Sequence, residues 1–364
     1  MQRIIDFLSD AYKSKLDDIF FTGVPEEKFA TCNNCVMVCR DKSKTNLAFK
    51  SFNPGLKCCT YHPGLPAYLV GNILASPEPE LDNGRKLMNN KIEKKIGVTP
   101  MGIFAPKLYN LIYKQGHKNG FGTSEKLLCP YYNKEENNCN IWKYREAVCS
   151  TYFCRHTTNN KGKDLWMSIM NYLKMVERKV SEYILLNTGF SDIKLIQAYV
   201  DSLLNFEEDL TDWEIDEKPM PADQQKLLWQ SWYGKEKEFY MKAAELFNLM
   251  SPQDLVQILG ISHTTMSEEI KKNISKTIFL PEILEKNKNL EYLTEVPGYY
   301  SVLMKNSDQK FQIPGVLVDQ FDGKKTLKNI LKELDDVHGI EIDEEYLFTL
   351  YSYAVLIEPV SKAI

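Results

Sequence analysis

No stretch of this 364-residue chain approaches the roughly 20 consecutive apolar residues that a bilayer-spanning helix needs, so no membrane span is expected. Charge of one sign is also lacking. The 45 basic and 49 acidic side chains leave a net charge of -4, with no global attraction to nucleic acid or to an anionic membrane. There is no G-x-G-x-x-G turn, no Walker loop and no H-E-x-x-H helix, which removes the simplest nucleotide-binding and zinc-protease readings. The opening MQRIIDFLSD carries an early acid and no apolar core of signal-peptide length, so a cytoplasmic setting is expected. Cysteine is absent before residue 32 and after residue 154.

Between those two positions stand all nine cysteines. TCNNCVMVCR and LKCC supply Cys32, Cys35, Cys39, Cys58 and Cys59; CPYYNKEENNCNIWKYREAVCSTYFCRH supplies Cys129, Cys139, Cys149 and Cys154, with His156 just after. Disulfides suit an oxidising compartment and an even count, and this chain offers neither. Singly buried thiols have no reason to crowd into one third of a sequence. Metal ligation explains the crowding, because closely held thiolates repel one another until a cation neutralises them. All nine cysteines are therefore candidate ligands, for an iron–sulfur cluster first and for zinc second. His62 and His156 remain open as additional ligands. The spacing C-x-x-C-x-x-x-C at Cys32, Cys35 and Cys39 reverses the radical-SAM order C-x-x-x-C-x-x-C, so membership of that class is not expected.

Along the chain, Ile4, Ile5, Leu8, Tyr12, Leu16 and Ile19 recur near helical spacing and predict one or two helices within residues 1–28. The Pro- and Gly-rich run from Ser51 to Leu74 predicts a rigid, largely irregular path. A helix follows before Asn89, Lys91–Lys95 reads as a solvated basic face, Ile96–Tyr113 as strand, turn and short strand, and Gly116–Gly122 as a polar loop around His117. After a polar break at Asn159–Gly162, Ile169, Tyr172, Leu173, Val176, Val180 and Ile184 share one helical face. Further helices are expected from Ser191, across a break at Gly234, and from a Ser251/Asp254 cap to a stop at Gly260.

The pattern at Cys129-Pro130, Cys139, Ile141, Trp142, Arg145 and Cys149 resembles a widespread cysteine-cluster family of zinc- or iron-chelating proteins. It departs from that pattern at Glu146, where proline is usual, and in the long insert between Cys39 and Cys58. A flagellin lysine methylase family with a related cluster is a more distant resemblance. The resemblance implies a metal site more strongly than any reaction, with Arg145 placed to offset thiolate charge.

After a hairpin with a polar turn at Lys305–Gln309, the stretch from Val316 to Leu356 reads as two short helices and a strand. It resembles the PqqD-like peptide-recognition domains of enzymes that modify ribosomally made peptides, which implies a leader peptide bound as an added strand. DNA-binding winged helices share the layout, but Asp335, Asp336, Glu341, Asp343, Glu344 and Glu345 suit phosphate contact badly. The expected fold is mainly α (α+β), with an irregular cysteine-rich metal-binding core, a helical middle region and a small C-terminal winged-helix-like domain. The expected divisions are 1–28, 29–160, 161–290 and 291–364. The expected function is a metal-binding protein, iron–sulfur or zinc, that modifies a peptide or protein. A non-catalytic metal-stabilised binding module stands as the alternative, and a redox-sensing DNA-linked regulator as a weaker third.

Overall fold

The computed structural model describes residues 2–24, 27, 35, 37–38, 52–204, 210–277, 280–303, 310–342 and 344–359. Helix predominates, accompanied by small sheets. The chain divides into two compact units, one of residues 2–21 and 26–273, the other of residues 22–25 and 274–364 together with residue 1.

In the larger unit the helices are α1 (Ala67–Ala75), α2 (Asp82–Lys94), α3 (Lys107–Gly120), α4 (Ala147–Thr151), α5 (Asn159–Asn187) and α6 (Ile193–Leu204). They continue as α7 (Asp212–Ile215), α8 (Ala222–Trp229), α9 (Glu236–Leu249), α10 (Pro252–Leu259) and α11 (Ile261–Thr277), whose residues from Ile274 on are counted with the smaller unit. Three two-residue strands, β1 (Leu65–Pro66), β2 (Val98–Thr99) and β3 (Gly102–Ile103), form an antiparallel sheet in the order β1-β3-β2. A second pair, β4 (Tyr132–Asn133) and β5 (Asn138–Cys139), is a hairpin.

Helix α1 lies at the centre. Every residue from Ala67 to Ile73 is buried, as expected of a helix apolar on all sides. It packs closest along α9, where Gly71 faces the Tyr240 carbonyl and Ala244. The stripe read on α5 is the buried one: Ile169, Leu173, Val176, Val180 and Ile184 are at most 1% exposed. The Ser251/Asp254 capping box on α10, its stop at Gly260, and the break at Gly234 all stand where the sequence placed them.

Three sequence expectations are corrected here. Residues 4–21 form short 3-10 turns rather than α-helices, because Asp, Ser and aromatic residues hold an α-helix poorly and each turn is fixed by tertiary contact. Thus Ser9 Oγ donates to Lys143 O (2.9 Å), and Lys15 Nζ donates to Asn248 O (2.9 Å) and Met250 O (2.7 Å) at the C-terminus of α9. The segment read as irregular contains α1, since its prolines all precede the helix and only Gly71 is internal. The predicted loop at His117 belongs to α3, on which Tyr109, Tyr113 and His117 stack four residues apart.

The smaller unit contains β6 (Ile283–Lys286), β7 (Tyr292–Val296), β8 (Tyr299–Leu303) and β9 (Lys310–Pro314), then α12 (Gly315–Val318), β10 (Asp322–Thr326), α13 (Leu327–His338), α14 (Glu344–Ser352) and β11 (Leu356–Ile357). One antiparallel sheet runs β9-β8-β7 and another β10-β6-β11. Leu284, Val302, Ile313, Phe321, Ile330 and Leu347 lie in its core. The polar turn expected at Lys305–Gln309 lies outside the described residues.

Candidate metal centre

Three hydrogen bonds bring the two halves of the cysteine pattern together. Asn53 N–H donates to Gly122 O (2.8 Å), Gly122 N–H donates to Thr60 Oγ1 (2.7 Å), and Cys129 N–H donates to Cys59 O (2.9 Å). Gly122 is required there. Its φ is +75°, and an added Cβ would sit 2.1 Å from the Phe52 ring. The β4–β5 hairpin then returns the chain, pairing Tyr132 with Cys139, so that the polar Asn/Glu run becomes a turn closed by Asn137 at φ +56°. Lys57 Nζ crosses to donate to Asn137 O (2.8 Å).

Beyond the hairpin, Arg145 ties the next segment down. Its guanidinium lies 3.5 Å over the Trp142 ring and donates to Trp142 O (3.1 Å), Cys149 O (2.8 Å) and Phe7 O (3.3 Å). Glu146 then caps α4, accepting from the Val148 (2.6 Å) and Cys149 (2.8 Å) amides. The position thus caps the helix on which Cys149 stands. Glu177 on α5 lies behind it, accepting from Ala147 N–H (2.7 Å) and the Tyr12 hydroxyl (2.9 Å). Burial, then the Glu146 charge, pushes the Glu177 carboxyl well up.

The result is a cavity of about 1530 Å³ lined by Cys58, Cys59, Cys129, Cys139 and Cys149, which come from three separated stretches of sequence. All are free thiols. Cys58 and Cys59 sit at the end of a turn and hydrogen-bond to each other, which lowers Cys58 and raises Cys59. The Arg145 and Lys57 charges act on Cys58 in the same lowering sense, against its burial. Burial, then the neighbouring Cys139, pushes Cys129 up to about 12. Burial raises Cys139, and burial followed by the Glu146 charge raises Cys149 well above the ordinary thiol range. Burial and neighbouring thiolate charge favour the protonated form of Cys129, Cys139 and Cys149, while Cys58 is shifted the opposite way; with Cys59 the five sulfurs are a donor set suited to a soft cation.

Tyr131 fits the same picture. It is fully buried in the cavity wall, its hydroxyl has no hydrogen-bond partner among the described residues, and the Cys129, Cys139 and Cys149 charges all act on it. No group of three or more His, Cys, Asp or Glu side chains among the described residues stands in an arrangement that could hold a metal ion. The fit therefore lies in donor identity and convergence, not in a formed coordination shell.

The other candidates fall elsewhere. Cys35 and Cys154 are half-buried and do not line the cavity, although the Cys154 charge acts on Tyr152, which does. Cys32 and Cys39 lie outside the described residues. His156 does not line the cavity. His62 is buried with both nitrogens engaged: Lys91 Nζ donates to Nε2 (3.1 Å), which leaves Nδ1–H to donate to Pro63 O (3.0 Å). Lys91 itself is half-buried behind Tyr131, so the basic run is not wholly a solvated face. Sequence reasoning passed over Tyr131, Lys57, Lys91 and Glu177; only the position of Tyr131, two after Cys129, could have drawn notice.

The His62 arrangement makes stability depend on acid. Burial, then the Lys91 charge, pushes the imidazole down to about 3. The unfolded imidazole takes a proton near pH 6.5, so the contribution is whole above that pH. It is lost progressively as pH falls toward 3, at about 1.4 kcal/mol per pH unit. Gln offers one acceptor to Lys91 and one donor to Pro63 O. Urea midpoints of His62→Gln should therefore fall less steeply than wild type between pH 6.5 and 4.5, and parallel curves would refute the assignment.

Compared with known proteins, the chain matches no protein-family model, no curated sequence and no solved structure.

Proposed function

We propose that this protein binds a thiophilic metal centre, an iron–sulfur cluster in preference to zinc, through thiolates of the Cys58–Cys149 cavity, and that the centre serves an enzyme that modifies a peptide or protein. The observation that carries the proposal is the convergence of five cysteines from three stretches of sequence on one cavity. Ligands would come from Cys58, Cys59, Cys129, Cys139 and Cys149, with Cys32, Cys35 and Cys39 as the remaining candidates, since Cys154 lies off the cavity wall. Bound there, the centre would supply redox chemistry if iron–sulfur and Lewis acidity if zinc.

The enzyme reading is favoured over a non-catalytic metal-stabilised module because the thiols border a space larger than the usual small-molecule pocket of about 300–1,000 Å³. Its wall gives a substrate apolar surface at Met167 and Met170 and aromatic faces at Tyr61 and Tyr113. The order of strands and helices in the smaller unit supports the reading of a winged-helix-like, PqqD-like domain. Strand β7 forms one edge of its sheet and exposes Leu293 and Val296, a surface suited to an added peptide strand.

The test is metal analysis of protein purified without air. A brown preparation holding iron and acid-labile sulfide meets the expectation, and a colourless one with stoichiometric zinc moves the reading to the second metal. Protein that retains neither, and takes up neither on reconstitution, would overturn it.

A further inference from the structure

Among the described residues, three cations near the thiols, Lys57, Arg145 and Lys91, have only neutral hydrogen-bond partners. Lys57 is 9% exposed, and its ammonium has one acceptor, the neutral Asn137 carbonyl. Arg145 donates only to carbonyls. Lys91 meets the neutral His62 ring and the face of Tyr131, at 5.6 Å from its centroid. No carboxylate stands within ion-pair distance of these three among the described residues.

Acids in the cavity wall are already engaged. Glu80 pairs with Lys143 (3.0 Å), Glu146 holds the α4 amides, and Glu136 accepts from the Asn138 side chain (2.9 Å). Enclosed cations without counter-ions are costly, and they persist where something negative is meant to lie between them. The groups they share are the cysteines: Lys57 and Arg145 act on Cys58, Arg145 on Cys139, and Lys91 on Cys129. On Lys91, the Cys129 charge acts more strongly than the Glu217 charge.

We infer that Lys57 and Lys91, together with Arg145, form a countercharge for a centre that is net anionic when bound, so the cavity accepts its metal through several thiolates at once. This rests on the metal reading proposed above and adds its charge. A divalent cation held by four thiolates, or a cluster held by four thiolates, carries net negative charge; a cation held by two thiolates and two neutral ligands does not. Lys57 and Lys91 are positioning residues here, acting through the thiolates rather than on substrate.

The experiment titrates anaerobic apo-protein, full chain, with Co²⁺ followed by thiolate-to-metal charge-transfer absorption, in wild type, Lys57→Gln, Lys91→Gln and Lys57→Arg. Glutamine keeps a donor for Asn137 O or for His62 Nε2 and removes the charge. Each glutamine variant should bind Co²⁺ about tenfold or more weakly, the scale of a lost outer-shell partner. Lys57→Arg should bind as wild type does. The apo forms of the glutamine variants should resist urea at least as well as apo wild type, because an unpaired cation has gone; a merely structural lysine would give the reverse. Glutamine variants that bind Co²⁺ like wild type, or apo forms that unfold at lower urea, overturn the inference and leave the metal reading standing. Wild type that takes up no Co²⁺ overturns both.

Discussion

Cys129→Ser and Cys139→Ser should each purify with less than about a tenth of the metal that wild type carries, while Cys154→Ser should keep it. Loss of an outer-shell partner alone costs a metal site about 10- to 100-fold in affinity, and loss of a ligand costs at least as much. The two residues are joined by local structure. Cys129 is held to Cys59 by a backbone hydrogen bond, and Cys139 is returned to the same wall by the hairpin that pairs it with Tyr132. A serine hydroxyl fills nearly the same space, so the wall should survive, but a neutral oxygen is a poor ligand for a soft cation. Cys154, two residues past the exposed Tyr152, does not line the cavity. Metal per chain after anaerobic gel filtration measures the effect, and far-ultraviolet circular dichroism checks that the helices persist. If the Cys129 and Cys139 variants carry wild-type metal, the cavity thiols are not the ligands.

What the sequence revealed of this site depended on locality. Cys129, Cys139, Arg145 and Cys149 follow one another closely, so a spacing pattern captures them, and the turn between Cys129 and Cys139 announces itself in Asn and Glu. Cys58 and Cys59 reach the same wall through Thr60, Gly122 and Phe52, a contact that pairs residues some sixty positions apart and leaves no local trace. The same holds for Lys91, which stands in a run with the exposed Lys94 while its neighbours in space are His62 and Tyr131. Regular helices were legible from an apolar stripe, as on α5, or from a capping box, as on α10. They were not legible on α1, because a helix buried on all sides has no stripe, or on residues 4–21, where helical spacing is met by successive 3-10 turns.

Gly71→Ala should lower the stability of the larger unit by about 3 kcal/mol, the upper part of the range for overpacked cores. Glycine inside a helix ordinarily costs about 1 kcal/mol relative to alanine, so a gain would be expected if space were available. It is not. A Cβ at position 71 would lie 1.9 Å from the Tyr240 carbonyl oxygen and 2.7 Å from the Ala244 Cβ, so the backbones of α1 and α9 would have to part. Little can yield. Tyr240 is fixed through its hydroxyl to Thr99 O (2.8 Å), the Tyr68 ring stacks on Phe247 at 4.2 Å, and Asn248 donates to Asn72 (2.9 Å). Helix α1 also begins eight residues after Cys59, so its displacement would disturb the wall that holds Cys58 and Cys59, and metal content should fall with stability. Gly116→Ala is the control: it lies inside α3 with nothing within 4 Å of an added Cβ, and it should gain up to about 1 kcal/mol. Urea unfolding followed by tryptophan fluorescence, to which Trp229 edge-on to Tyr240 at 5.8 Å contributes, reads both. Equal midpoints for the two alanine variants would mean that α1 and α9 are not in the close contact described.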